Sequence, residues 1–215
     1  MNQQSGLRER KKQQTRVVIA ETARRLFGER GFDHVTVAEI ARAADVAEKT
    51  VFNYFPTKED LVYWRMESFE DELLETIRAR EPGESVLASF GRFVSEPRGL
   101  IAETDPAARE RLEAVTRLIT GSPALLAREE QIYARYTASL AALIAGEARA
   151  GDGDIAPWVA ANAMMGIHRA LVDYTRRRIL AGIHGPQLAR DVLAQAGQAL
   201  ALLEKGLGDL ARRPS

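Results

Sequence analysis

The chain of 215 residues has no cysteine, three histidines and no surplus of either charge, with 30 basic against 30 acidic side chains. Each absence excludes something. Without cysteine there is no thiol catalysis, no cysteine zinc site and no iron–sulfur cluster. The absence is compatible with a reducing cytoplasm without requiring one. With histidine only at His34, His168 and His184, none of them at helical spacing from another, a histidine metal site is not expected. The longest uncharged run, Ile155 to Ile167, falls short of the roughly 20 apolar residues of a spanning helix. The start, MNQQSGLRERKKQQTR, is basic with no apolar stretch behind it and does not read as a secretory signal. H-E-x-x-H, G-x-S-x-G, G-x-x-x-x-G-K and G-x-G-x-x-G are all missing. Gly151-Asp152-Gly153-Asp154 lacks calcium-loop spacing and reads as a turn. Nothing here points to an enzyme, a cofactor or a metal.

A zero net charge argues against nucleic acid only if the charges are evenly spread, and they are not. Residues 1–30 hold eight basic and three acidic groups. The basic stretch from Arg8 to Arg16 is either a solvated tail or an arm that adds phosphate or minor-groove contacts.

Period-2 alternation is nearly absent, whereas helical spacing recurs throughout, so the fold class is all-α with about nine helices. A first helix is expected from about Thr15 to Arg30, with Ile19, Ala23, Leu26 and Phe27 on one face and Gly31 stopping it. Thr36 with Glu39, and Thr57 with Asp60, have capping-box spacing. Short helices are expected from Thr36 to Ala43 and from Glu48 to Tyr54, ended by Phe55-Pro56. A helix from Thr57 to about Arg80 follows. Five more fall near 84–96, 105–120, 123–150, 155–182 and 186–206, with breaks at Pro97-Arg98-Gly99, Gly121-Ser122-Pro123, Gly151–Asp154 and His184-Gly185-Pro186. This divides the chain into an N-terminal domain, 1–56, and a larger helical domain, 57–215.

Thr36 to Tyr54 is the most informative stretch. Two short helices meet at a tight turn, with small Ala41 where they would cross and Asp45 where a left-handed residue is required. Ile40, Val46, Val51 and Tyr54 would lock the second helix, leaving Glu48, Lys49, Thr50 and Asn53 to face a DNA major groove. An ordinary helical hairpin has the same spacing, and spacing alone leaves both open.

The segment ERGFDHVTVAEIARAADVAEKTVFNYFPTKEDLV, with LFGERGF before and NYFPTKEDL at its end, resembles the DNA-binding domain of the tetracycline-repressor-like (TetR) family over roughly residues 14–62. The resemblance implies a three-helix DNA-binding domain followed by a ligand-binding and dimerisation domain. It implies phosphate contacts by Thr36, Tyr54 and Lys58; Lys49, Thr50 and Asn53 are then the candidates for base edges, since lysine can pair with guanine and asparagine with adenine. Four positions depart from the family pattern: Asp45 replaces a turn glycine, Ala47 a hydroxyl cap, Phe52 a tyrosine hydroxyl, and Asn53 a second aromatic.

Beyond the motif, candidate effector-lining residues are Met66, Phe69, Phe90, Phe93, Tyr133, Tyr136, Asn162, Met165, His168 and Arg169. Asn162, His168 and Arg169 stand out, because a polar group on a buried helix needs a partner. Arg169 could meet an anionic ligand or an acid across a dimer. The helix from Ile155 carries stripes on two faces (Ala160, Met164, Ile167, Leu171, Tyr174; and Asn162, Met165, Arg169, Val172), and the last helix carries Val192, Ala196, Ala199 and Leu203. The resemblance implies that these two helices pair with their mates in a homodimer. The expectation is a cytoplasmic, ligand-responsive regulator, most often a repressor in this family, that binds palindromic double-stranded operator DNA and is released by a small molecule, with no membrane partner. The alternative is a helical small-molecule-binding protein or enzyme without DNA function.

Overall fold

The computed structural model describes residues 3–96, 105–151 and 153–206. The expected break at Pro97-Arg98-Gly99, and Asp152 in the Gly151–Asp154 break, lie outside the described residues. The described chain is helical without a strand: α1 (Gln3–Arg30), α2 (Val37–Ala43), α3 (Glu48–Tyr54), α4 (Asp60–Tyr63), a 3-10 turn (Trp64–Met66), α5 (Glu67–Arg78), α6 (Val86–Ser95), α7 (Pro106–Thr120), α8 (Pro123–Ala148), α9 (Ala156–Leu180) and α10 (Gly185–Lys205).

Two expected boundaries change. The first helix begins at Gln3 rather than Thr15, so the basic stretch from Arg8 to Arg16 is helical rather than a detached arm. Its arginine, lysine, glutamine and glutamate are good helix formers with no proline among them. The helix expected over 57–80 is divided by the 3-10 turn, which nothing in the local sequence marks.

The chain forms two compact units, one of Met1–Ser68 with Arg117–Arg128, the other of Phe69–Thr116 with Glu129–Ser215. This partition differs from a single cut at 56/57, because the ends of α7 and α8 belong with the N-terminal helices. In the first unit Ile19, Ala20, Ala23 and Phe27 of α1 pack with Phe32, Val35, Ile40, Ala41, Val51, Phe55, Leu61 and Tyr63, all buried. The buried Tyr63 hydroxyl donates to the Leu125 carbonyl at 2.9 Å, and Arg128 bonds Asp60 through Nε at 3.0 Å and Nη2 at 2.8 Å.

In the second unit α10 packs on α6 and α9. Gly91 of α6 allows a close approach there: a β-carbon at this position would sit 3.0 Å from the Leu200 side chain of α10, which would have to shift by a few tenths of an ångström. Met164, Met165, Ile167 and Leu171 of α9 are buried, whereas Asn162 and Arg169 are exposed, so the second expected stripe is not continuous within the chain. Ala196 of α10 is fully buried in the chain's own core. The apolar residues that α10 presents outward are instead Leu193 and Leu202, and α9 presents Trp158, Val159 and Leu180, with Ile155 exposed just before it.

Candidate functional site

The helix-turn-helix is fixed by local hydrogen bonds. α1 ends where Gly31, at φ +83°, donates its N–H to the Phe27 carbonyl at 2.8 Å. At the start of α2, Thr36 Oγ1 accepts from Glu39 N at 3.2 Å while Glu39 accepts from Thr36 N at 2.8 Å, a complete capping box. Arg30 Nη1 binds the other oxygen of Glu39 at 2.8 Å. The Thr36 backbone N–H and then the Arg30 guanidinium hold the Glu39 carboxyl far below the ordinary carboxylate range, at about 2. The Thr36 hydroxyl also donates to Glu39 at 2.8 Å, so a phosphate contact would have to compete with that bond.

Between α2 and α3 the chain makes a Schellman turn. Asp45 N donates to Arg42 O at 3.3 Å and Val46 N to Ala41 O at 3.0 Å, with Asp45 at φ +53°. Aspartate, which tolerates left-handed backbone better than most residues, takes the position that glycine would fill without strain. Ala47 gives α3 no side-chain cap. After α3, Thr57 and Asp60 form a reciprocal pair, Thr57 N to Asp60 Oδ2 at 2.9 Å and Asp60 N to Thr57 Oγ1 at 3.3 Å.

On α3, Val51 faces the core. Glu48, Lys49, Phe52 and Asn53 are exposed; Thr50 and Tyr54 are half-buried. The outward face therefore carries the expected Lys49, Thr50 and Asn53, plus Phe52, which sequence reasoning treated only as a missing hydroxyl. Phe52 sits directly before Asn53, and helical phase alone could have assigned it to that face. Lys58 lies in the turn before α4, with Nζ 4.1 Å from the Phe32 ring centre and 5.8 Å from that of Phe27. Partial burial lowers its pKa, opposed by Asp33, Glu59 and Glu39. The ring contact fixes the ammonium at one place on the first unit.

In the second unit, five residues of the expected effector set converge. Phe69 of α5 meets Phe93 of α6 at 5.2 Å between centroids, Tyr136 of α8 at 5.2 Å and His168 of α9 at 4.6 Å. Tyr133 meets His168 at 5.7 Å and Tyr136 at 6.4 Å. Burial holds His168 neutral, lowering its pKa to about 4. Met165 and Phe90 are also buried in this unit, whereas Met66 belongs to the first. Asn162 is exposed and donates to the Trp158 carbonyl at 2.8 Å. Arg169 pairs with Glu130 of the same chain and lies over the Tyr133 ring. Among the described residues no group of three or more potential ligands could hold a metal, and no helix is long and apolar enough to cross a membrane.

An all-helical chain whose N-terminal unit presents α3 outward from a fixed helix-turn-helix has the form of a DNA-binding domain. Residues 19–63 match the model of bacterial regulatory proteins, tetR family. The chain is 31% identical to the HTH-type transcriptional regulator TcmR of Streptomyces glaucescens over 64% of its own length and 63% of that protein. It is 26% identical to the putative mycofactocin biosynthesis transcriptional regulator MftR of Mycobacterium tuberculosis, over 69% of this chain and 73% of that one. With TcmR, then, the match spans less than two thirds of the relative's length. The fold is shared with NalD of Pseudomonas aeruginosa, the secondary repressor of the MexAB-OprM multidrug efflux pump, at a TM-score of 0.55 and 22% identity over 87% of this chain and 97% of that one. Residues 19–63 thus match the DNA-binding domain of the tetR family, and the named relatives are transcriptional regulators.

Proposed function

We propose that this protein is a ligand-responsive transcriptional repressor, which binds a palindromic operator as a homodimer in the cytoplasm and is released by a small molecule. The observation that carries this reading is the outward face of α3, held rigidly by the Thr36–Glu39 box, the Asp45 turn and buried Val51. Lys49, Thr50 and Asn53 read base edges in the major groove, and exposed Phe52 offers an apolar contact to a thymine methyl. Tyr54 and Lys58 grip phosphates, as does Thr36 at the start of α2. The exposed apolar residues of α9 and α10 support self-association, which sets two recognition helices about one helical turn of DNA apart or at a multiple of it.

The ligand-responsive part draws support from α8, which carries Arg128, bonded to Asp60 at the start of α4, and further along Tyr133 and Tyr136 of the aromatic cluster. A ligand that prefers one arrangement of α8 shifts the population of DNA-competent dimers.

The test is anisotropy of the protein on DNA from upstream of its own gene. Asn53→Ala should relax preference at one base position by about 1–3 kcal/mol. Lys58→Ala should weaken all sequences alike and reduce the salt slope by about one. Uniform loss in both variants would remove Asn53 from base reading; no binding by the parent protein at low salt would remove the proposal.

A further inference from the structure

The second unit contains a buried polar atom that its own fold leaves unanswered. Nε2 of His168 is out of contact with solvent and has no hydrogen-bond partner. Its surroundings are ring faces and edges, Phe69 at 4.6 Å and Tyr133 at 5.7 Å. A buried imidazole nitrogen without a partner loses its hydration and receives nothing in return, so a molecule that supplies one hydrogen bond is favoured there. The imidazole is neutral at physiological pH because burial disfavours its charged form. It offers one donor and one acceptor, but no positive charge.

The charges around the cluster are already matched. Arg135 bonds Glu70 at 2.8 Å, and Glu70 also accepts from Ser139 at 2.5 Å. Arg169 pairs with Glu130, and Arg176 with Glu129 at 2.5 Å. An anionic ligand would have to displace a carboxylate, and a cationic one an arginine. Tyr133, Tyr136 and Phe93 are buried, whereas Phe69 and His168 are half-buried, so the Phe69–His168 ring pair is the approachable edge of the cluster. A flat ring entering there exchanges one ring contact for another of the same kind.

We propose that the aromatic cluster around His168 is the effector subsite, and that it takes an uncharged planar aromatic molecule bearing a hydroxyl or carbonyl oxygen, which bonds His168 Nε2 while its ring lies against Phe69 and Tyr133. This rests on the ligand-responsive reading above and specifies its ligand.

The test uses the full chain at pH 7 with three probes of one ring system: 2-naphthol, 2-methylnaphthalene and naphthalene-2-carboxylate. Binding is measured by titration calorimetry, and the imidazole nitrogens are followed by NMR on histidine-labelled protein, which has only three histidines to assign. The naphthol is expected to bind about tenfold or more tighter than either of the others and to shift the His168 ring nitrogens, because a buried hydrogen-bonding group rejects an analogue that leaves it unpaired. His168→Phe should reduce the preference to within about twofold. If that variant does not fold, the nitrogen shifts in the parent protein decide the matter alone. Equal or tighter binding of the carboxylate, naphthol binding that leaves the His168 nitrogens unmoved, or no binding of any probe would overturn the subsite. An operator-shift assay run alongside separates the two readings. Naphthol bound at His168 without release of DNA upholds the subsite and defeats ligand-driven release. Release of DNA by another compound, with no naphthol binding, upholds release and defeats the subsite.

Discussion

In the first unit, the groups that fix α2 and α3 are neighbours in sequence. Thr36 and Glu39 are three residues apart, as are Thr57 and Asp60, and the turn at Asp45 closes on Arg42 and Ala41. Outside that helix-turn-helix, polar contacts reach across the chain: Arg128 to Asp60 over 68 residues in the first unit, and in the second Arg169 to Glu130 over 39, Arg176 to Glu129 over 47, Arg80 to Glu147 over 67 and Ser139 to Glu70 over 69. A recognition surface built from local caps keeps its shape whatever the rest of the chain contributes. A surface built from distant pairs is defined only once several helices have come together, and a ligand inserted among them can change it. The contrast suits the proposed division of labour between DNA reading and ligand response.

The largest expected effect breaks the distant kind of contact. The Arg176–Glu129 pair is mostly buried, and Glu129→Ala leaves the guanidinium without that carboxylate, which should cost about 3 kcal/mol in urea unfolding. A loss under 1 kcal/mol would mean that the pair only decorates helices held by apolar packing.

Next comes the pH response of His168. Its folded pKa, about 4, lies below the ordinary value of 6.5, so between these two values the unfolded chain binds a proton that the folded chain refuses. This contribution to stability is therefore intact above pH 6.5, falls as the pH drops toward 4 and is level below it, a total of about 3 kcal/mol. Stability is followed against pH in the parent and in His168→Phe. The difference between the two stability curves isolates the histidine, and parallel curves would place an exposed, freely titrating imidazole at this position.

Smaller effects test the local kind. Thr36→Ala removes a cap and should cost about 1 kcal/mol. A cost as large as that of Glu129→Ala would erase the contrast between the units. Asp45→Gly should stabilise by about 0.5 kcal/mol, because glycine adopts the φ of +53° without the clash of a β-carbon. Thermal unfolding would show the sign, and destabilisation would mean that the Asp45 side chain contributes more than its backbone strain costs.

The same contrast explains what could be read from the sequence. The Thr36–Glu39 capping box, the reciprocal Thr57–Asp60 bonds, the Gly31 stop and the left-handed residue at Asp45 are local chemistry and all form in the structure, although α4 starts only at Asp60 and Thr57 is not its N-cap. Lys49, Thr50 and Asn53 follow from helical phase once Val51 is assigned to the core. Long-range partners carry no such signature. Nothing in the sequence linked Arg169 to Glu130 rather than to a ligand or a partner chain, or Asp60 to Arg128. Ala196, placed at a dimer face by the resemblance, is buried within the chain, because a stripe of small residues suits close packing with any helix. The break of the 57–80 helix at Trp64–Met66 was illegible because no glycine or proline marks it.

The measurement that bears most directly on the proposed DNA reading is equilibrium binding to DNA from upstream of the protein's own gene, against a shuffled duplex of equal composition at the same salt concentration. The account predicts binding of the upstream DNA about a thousandfold or more tighter, with footprint protection arranged in two symmetric half-sites. Equal affinity for the two duplexes would contradict it.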